Sequence, residues 1–169
     1  MKYGTKGTMG VDYEQRIDFD RLRKDRMRKV QEALDKTDYG CLLLFDSHNK
    51  RYATSTAVAS PEVDLMGRFA IVPRGGEPHI FGFGSEVAAE KLNCPWIKDR
   101  THPAHTTMFG ALPKEWGLFE NFIKDLEMVL DANGIDKKAP IGVDLLELNQ
   151  TQFHICGARL HPIIVLVQS

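Results

Sequence analysis

Cysteine is scarce in this chain of 169 residues: Cys41, Cys94 and Cys156 are the only three, far apart and without a CxxC pair. That excludes a zinc ribbon and a disulfide scaffold, and makes a reducing, cytoplasmic setting the expectation. Long apolar runs are missing too, since no stretch approaches the roughly 18 residues of a membrane span. The first residues, MKYGTKGTMGVDYEQRIDFDR, are polar and lack the apolar core of a signal peptide. Neither charge is in excess: 22 Lys and Arg against 23 Asp and Glu leave a net charge of -1. A dedicated nucleic-acid binder carries a basic surplus, so neither nucleic acid nor a membrane is expected as a partner. Nothing matches HExxH, a GxSxG elbow or the lysine of a P-loop.

What is present is an ordinary domain. Hydrophobic residues make up 43% and charged residues 27%, enough to bury a core. Residues 1–17 read as a glycine-containing arm, and 18–169 as one domain. A helix is expected from Asp18, whose carboxylate can cap the first turn. Phe19, Leu22, Val30, Ala33 and Leu34 fall on or near one face, with Met27 beside them. Its basic residues, from Arg21 to Lys29, read as a solvated outer face laced by i,i+4 ion pairs such as Asp25–Lys29. The apolar run Cys41–Phe45 suits a strand buried on both faces. Ser47–Asn49 then reads as a turn, and Lys50–Thr54 as a short strand.

A loop is expected from about Ser55 to Met66. Arg68–Val72 and His79–Phe83 bracket the hairpin signal Pro73-Arg74-Gly75-Gly76-Glu77-Pro78. Ser85 can cap a helix over 86–92, and Trp96-Ile97 reads as an edge strand. Residues 99–113 form an irregular connection rich in His, Pro and Thr. A strong helix is expected from Lys114 to about Asn133, stopped by Gly134. Strand 140–144, helix 146–156 and strand 163–167 complete the order. The fold class is α/β: a layered domain with a mixed sheet and helices on its faces.

Few residues invite chemistry. His102 and His105 have HxxH spacing but a proline between them and no carboxylate at a motif position, so hydrogen-bonding histidines are expected there. Gly82-Phe83-Gly84-Ser85 could set an anion on a helix N-terminus, yet a tight strand-to-helix turn accounts for it. Cys41 and Cys156 read as packing residues. Asp46 and Asp144 both end expected strands, where ligands can gather in open α/β sheets. Capping and turn formation account for each separately. A small enzyme using both aspartates with a divalent metal stays as a third reading.

The string Asp38-Tyr39-Gly40-Cys41-Leu42-Leu43-Leu44-Phe45-Asp46, followed by Asn49-Lys50-Arg51-Tyr52-Ala53-Thr54, carries a resemblance. With the Arg21–Leu34 helix upstream, it resembles the N-terminal domain of the creatinase, prolidase and aminopeptidase P family. There an RxxRxxxxxxxL helix leads into a D(A/G)(L/V)LL strand and an N(I/V)xYxTG turn. The likeness runs from about Asp18 to Val167 and includes the late Ile141-Gly142-Val143-Asp144 strand. It departs at Ser55, where many members have glycine.

The resemblance implies a three-layer α-β-α domain with a mixed sheet and ribonuclease H-like topology, a non-catalytic domain that caps an active site and supports dimerisation. The catalytic C-terminal "pita-bread" domain, with two divalent metals on two Asp, one His and two Glu, is absent from this chain. Ser169 falls where a linker to it would begin. The expectation is therefore part of a hydrolase, with no catalytic residue, no metal ligand and no cofactor of its own, and inactive alone. Partners implied are that domain, a second subunit, and a small carboxylate or dipeptide substrate. Met66-Gly67-Arg68 stands where creatinase-like members carry an arginine that reaches the substrate carboxylate. Arg68, with Met66 beside it, is the candidate substrate contact; a plain strand-end arginine is the alternative. A free-standing interaction module of the same fold is the competing function. Self-association is expected through Phe, Met or Trp side chains in 55–68 and 100–116.

Overall fold

Asp18 starts the first helix as its chemistry requires: its carboxylate accepts from the Arg21 amide at 3.0 Å. The computed structural model describes residues 18–56, 68–82, 84–104, 116–144 and 160–162. The arm 1–17, the expected helix 146–156 and the expected strand 163–167 lie outside them. Helix α1 (Phe19–Leu34) buries Val30 and Leu34, whereas Phe19 is 56% exposed and joins no core. The outer face is ion-paired much as expected, but Asp25 meets Arg21 at 3.6 Å rather than Lys29. Arg28 and Glu32 pair at 2.6 Å.

Strand β1 (Cys41–Leu44) is buried along its whole length. Alternation sends Leu42 and Leu44 to the face covered by α1, with Ala70, Val72 and Ile80. Cys41, Leu43 and Phe45 go to the opposite face with Phe69, Ile71, Phe81 and Phe122. Each fully buried Leu, Ile or Phe contributes roughly 1.5–3 kcal/mol of transfer free energy. Phe69 is the hub of that second face. It stacks on Phe81 at 4.5 Å between ring centroids and meets Phe122 edge-on at 5.1 Å.

Residues 47–54 correct the sequence reading. The expected turn and strand are one helix, α2 (Ser47–Thr54). Asp46 caps it, accepting from the His48 and Asn49 amides at 2.8 and 3.0 Å. That cap, with Lys50, Ala53 and Thr54 buried on one face, outweighs the strand preference of Tyr52 and Thr54. The helix ends at Ser55 in the left-handed conformation, φ 54° and ψ 25°. The departure at Ser55 thus falls where backbone geometry favours glycine.

Strands β2 (Phe69–Pro73) and β3 (His79–Gly82) form the expected antiparallel hairpin, with Gly75 at φ 69° in its turn. Gln31 of α1 clasps that turn. Its side chain donates to Pro73 O at 3.0 Å and Gly76 O at 2.9 Å, and accepts from the Gly75 amide at 2.8 Å. Helix α3 (Gly84–Asn93) follows, packed against β3 and the next strand. Trp96-Ile97 is not a strand. Pro95 cannot donate to a ladder, and Trp96 lies in a turn with its indole donating to Thr54 O at 2.9 Å. After a short 3-10 turn, Lys98–Arg100, the edge strand is β4 (Thr101–Pro103), parallel to β3.

Helix α4 (Leu118–Ala132) starts four residues later than expected, after Gly117 at φ 64°. Gly134, also at φ 64°, ends it: its amide and that of Ile135 return to Asp131 O and Leu130 O. Ile135 then packs on the core, as this type of helix stop favours. Strand β5 (Ile141–Val143) pairs parallel to β1, and β6 (Leu160–Pro162) parallel to β5. The sheet order is β4-β3-β2-β1-β5-β6. With α1 and α2 on one face and α4 on the other, the architecture is the expected mixed-sheet α/β fold. No helix among the described residues is long and apolar enough to cross a membrane.

Ser55 carries a cost that glycine would not. A left-handed non-glycine residue is strained by about 1–2 kcal/mol, and glycine gives back roughly 0.5–1 kcal/mol in chain entropy. Ser55→Gly is therefore expected to stabilise the fold by about 0.5 kcal/mol. A urea midpoint that rises at constant slope supports this; an unchanged or lower midpoint counts against it.

Candidate functional site

The carboxyl ends of β1, β3, β4 and β5 and the start of β2 share one end of the sheet, and the chemistry of the chain gathers there. The parallel pairing of β1 with β5 brings Asp46 and Asp144 together, as both strand ends predict. Both carboxylates already accept hydrogen bonds. Asp144 accepts from the Phe45 amide at 2.8 Å, the Asp46 amide at 3.1 Å and the Asn49 side-chain amide at 3.0 Å. Asp46 holds the N-terminus of α2. Capping thus describes Asp46, whereas Asp144 bridges the end of β1 to Asn49 of α2, and among the described residues no three of His, Cys, Asp and Glu gather as a metal set.

At the same end of the sheet lies a group of four charges, three of them buried and the fourth, Glu86, part-exposed. Arg68, only 3% exposed, stands immediately before β2. Its Nη2 pairs with Glu90 and its Nε lies 3.5 Å from Glu86 Oε2, both carboxylates one turn apart on α3. Lys50 of α2, 1% exposed, donates from Nζ to Arg68 O at 2.9 Å. Two cations and two carboxylates balance, which a buried charge requires to be tolerated. Burial pushes the Glu90 carboxyl above the ordinary glutamate range, with Arg68 opposing. Gly82 at the end of β3 faces the group: a Cβ there would sit 3.6 Å from Arg68 Nε and 3.7 Å from Glu86 Oε2. Arg68 Nε, Glu86 Oε2 and Glu90 Oε2 are buried without a hydrogen-bond partner among the described residues.

The other sequence candidates separate clearly. Met66 and His105 lie outside the described residues, as does Cys156. Cys41 is fully buried, and burial pushes its thiol up to about 12, so it is packing and no nucleophile. Gly82 and Gly84 form the expected strand-to-helix turn. His102 meets His79 across the β3–β4 pair. A shallow groove of about 440 Å³ lies between α1 and the turn around Trp96, edged by Asp20, Lys24, Met27 and Arg100. Arg23 covers the Trp96 ring there at 4.2 Å. It presents cations and carboxylates without a nucleophile or an acid–base pair.

The sequence reading passed over Lys50, Glu86 and Glu90. One signal was available: carboxylates at i and i+4 repel on a helix face unless a cation stands opposite them. The cation comes from Arg68, which only the sheet brings near.

No family model matches the chain, and no curated protein matches it in sequence. Solved structures do match in fold. The Xaa-Pro dipeptidase from Bacillus anthracis superposes with a TM-score of 0.55 at 12% identity, over 83% of this chain. The chain spans only 33% of that protein's length. The creatinase/prolidase-like N-terminal domain of a metallopeptidase-type protein from Corynebacterium diphtheriae matches at TM-score 0.54 and 13% identity. That match covers 87% of this chain and 99% of the other. A proline dipeptidase structure from Streptococcus agalactiae matches at TM-score 0.50 and 14% identity, over 83% of this chain and 94% of that one. The fold is that of creatinase/prolidase-like N-terminal domains.

Removing one partner from a buried charge group leaves the others uncompensated. Arg68→Ala is expected to cost about 3–5 kcal/mol, more than the roughly 1–3 kcal/mol for Asp144→Ala, which orphans backbone donors. Chemical denaturation of both variants checks the order. An Arg68→Ala protein as stable as the parent would show that the four charges do not hold α2, β2 and α3 together.

Proposed function

We propose that this chain serves as the N-terminal, non-catalytic domain of a metal-dependent hydrolase of the creatinase or Xaa-Pro peptidase kind. In this role it caps the active site of a separate catalytic domain and supports a dimer. The single observation that carries the reading is the fold match to a free N-terminal domain over nearly its whole length. The chemistry of the described residues agrees with it. Asp46 and Asp144 accept hydrogen bonds from backbone amides at the end of β1 and the start of α2. In this reading divalent metal chemistry belongs to the catalytic partner.

Arg68 takes a specific place in this reading. Its guanidinium already faces two carboxylates, and the contact with Glu86 is the longer and more exposed of the two. A substrate carboxylate reaching Arg68 would take the place of Glu86 at Nε, the position where bidentate pairing is still incomplete. Until then Arg68 shapes the wall from within. Of the segments proposed for self-association, Trp116 is described and is 61% exposed.

The purified chain, supplied with divalent manganese, cobalt or zinc, is expected to leave Xaa-Pro dipeptides intact. It is also expected to sediment as a dimer at high concentration. Dipeptide hydrolysis that co-purifies with the chain through successive columns would overturn the non-catalytic role. A reading frame continuing past Ser169 for about 200 residues, a further domain's length, separates this role from a free-standing interaction module.

A further inference from the structure

His79 and His102 form a side-chain bond that neither the fold nor the proposed function uses. His79 Nδ1 and His102 Nε2 are 3.1 Å apart. The two rings are tilted by only 10°, with centroids 5.3 Å apart. That centroid spacing nearly equals the N···N separation plus the two ring radii, so the rings lie almost in one plane and meet head to head. This is the geometry of a straight N–H···N bond. Two ligands of one metal ion would instead converge from the side on a third point.

Such a bond holds one proton between the two facing nitrogens. With both rings neutral, one nitrogen donates and the other accepts. With both rings charged, two N–H groups oppose each other and the bond is lost. The surroundings resist that second charge. Phe81 stacks on His102 at 4.9 Å. Arg100 acts on His79 and Lys91 of α3 on His102, both repelling a further positive charge; Asp125 of α4 alone favours one on His102. Burial comes first among the causes that lower His79 to about 4, and His102 is lowered in the same direction.

The bond also sits at a mechanically exposed place. Among the described residues, strand β4 is the outermost of the sheet on its side and pairs with β3 alone. Beyond its short ladder, the Ala104 amide reaches Gly82 O at 2.7 Å. His102 ties this edge strand to its neighbour through side chains.

We propose that the His79–His102 pair is a proton-controlled clasp on strand β4, closed while the facing nitrogens share one proton and opened when both rings are charged. The clasp is independent of the hydrolase reading and acts at the level of the fold. Acid then frees the edge of the sheet before it reaches the centre. The sign follows from the lowered histidines: the unfolded or opened chain binds protons that the closed form excludes, so closure weakens as pH falls from about 6.5 towards 4.

The test uses the intact chain, with nitrogen-detected histidine spectra and amide hydrogen exchange. Near pH 7.5 both rings are expected neutral, with His79 Nδ1 and His102 Nε2 in opposite protonation states. Between about pH 7 and 4, exchange at Ala104 and along β4, corrected for intrinsic rates, is expected to accelerate roughly tenfold relative to Leu42–Leu44 of β1. H79Q and H102Q should exchange fast at β4 already at neutral pH and lose the pH step. Two histidines titrating independently near the ordinary value would overturn the clasp. So would β4 and β1 amides that respond together, or a variant that keeps the step. If the variants do not fold, the ring spectra and exchange of the unaltered chain decide the matter.

Discussion

Burial of β1 on both faces is the constraint from which the rest of the molecule follows. A strand with Leu42 and Leu44 on one side and Cys41 and Leu43 on the other needs apolar cover above and below. It also needs a hydrogen-bonded neighbour on each edge. One neighbour, β2, runs antiparallel and is reached through α2. The other, β5, runs parallel, so the chain must cross over a face of the sheet before returning beside β1. The intervening residues, from the β2–β3 hairpin to α4, make that crossing, and α4 closes the face it passes over. The helical layers are consequences of this strand and its two unlike partners.

The same topology decides where polar groups collect. Bringing the ends of β1 and β5 side by side leaves the amides of Phe45 and Asp46 pointing out of the ladder, and Asp144 answers them. Starting β2 at the same end plants Arg68 under α3, where Glu86 and Glu90 meet it. Lys50 fixes the backbone of Arg68 from α2. In a catalytic α/β domain this end of a sheet hosts reacting groups. Here Lys50, Arg68, Glu86 and Glu90 face one another and join α2, β2 and α3.

Local chemistry was legible where it acted alone. Asp18 and Gly134 bound their helices as residue type predicts, and the unbroken apolarity of Cys41–Phe45 announced a central strand. The hairpin at Pro73–Pro78 was equally plain. The misreadings trace to a helix cap overlooked at Asp46 and to interactions distant along the chain. Lys50-Arg51-Tyr52-Ala53-Thr54 has a strand-like composition, but Asp46 and burial of its lysine stem made a helix. Trp96 reads as a strand residue by type, but its indole N–H donates to the carbonyl of Thr54, 42 positions earlier. The ion-pair partners of Arg68 were invisible for the same reason. The resemblance assigns Arg68 to a substrate carboxylate; in the fold its guanidinium meets two carboxylates of α3.

The clasp of Gln31 on the β2–β3 turn bears on how this architecture can vary. Hairpin tips are usually where a chain accepts extra residues, because little else depends on their backbone. This tip is read by three hydrogen bonds from a helix more than forty residues upstream. It is also crowded by Asn133, whose Oδ1 would lie 2.3 Å from any Cβ at Gly76. Its length and its residues are therefore set by α1 and by the end of α4 together. A loop that would ordinarily be free to drift has become a measured distance between two helices on opposite faces of the sheet.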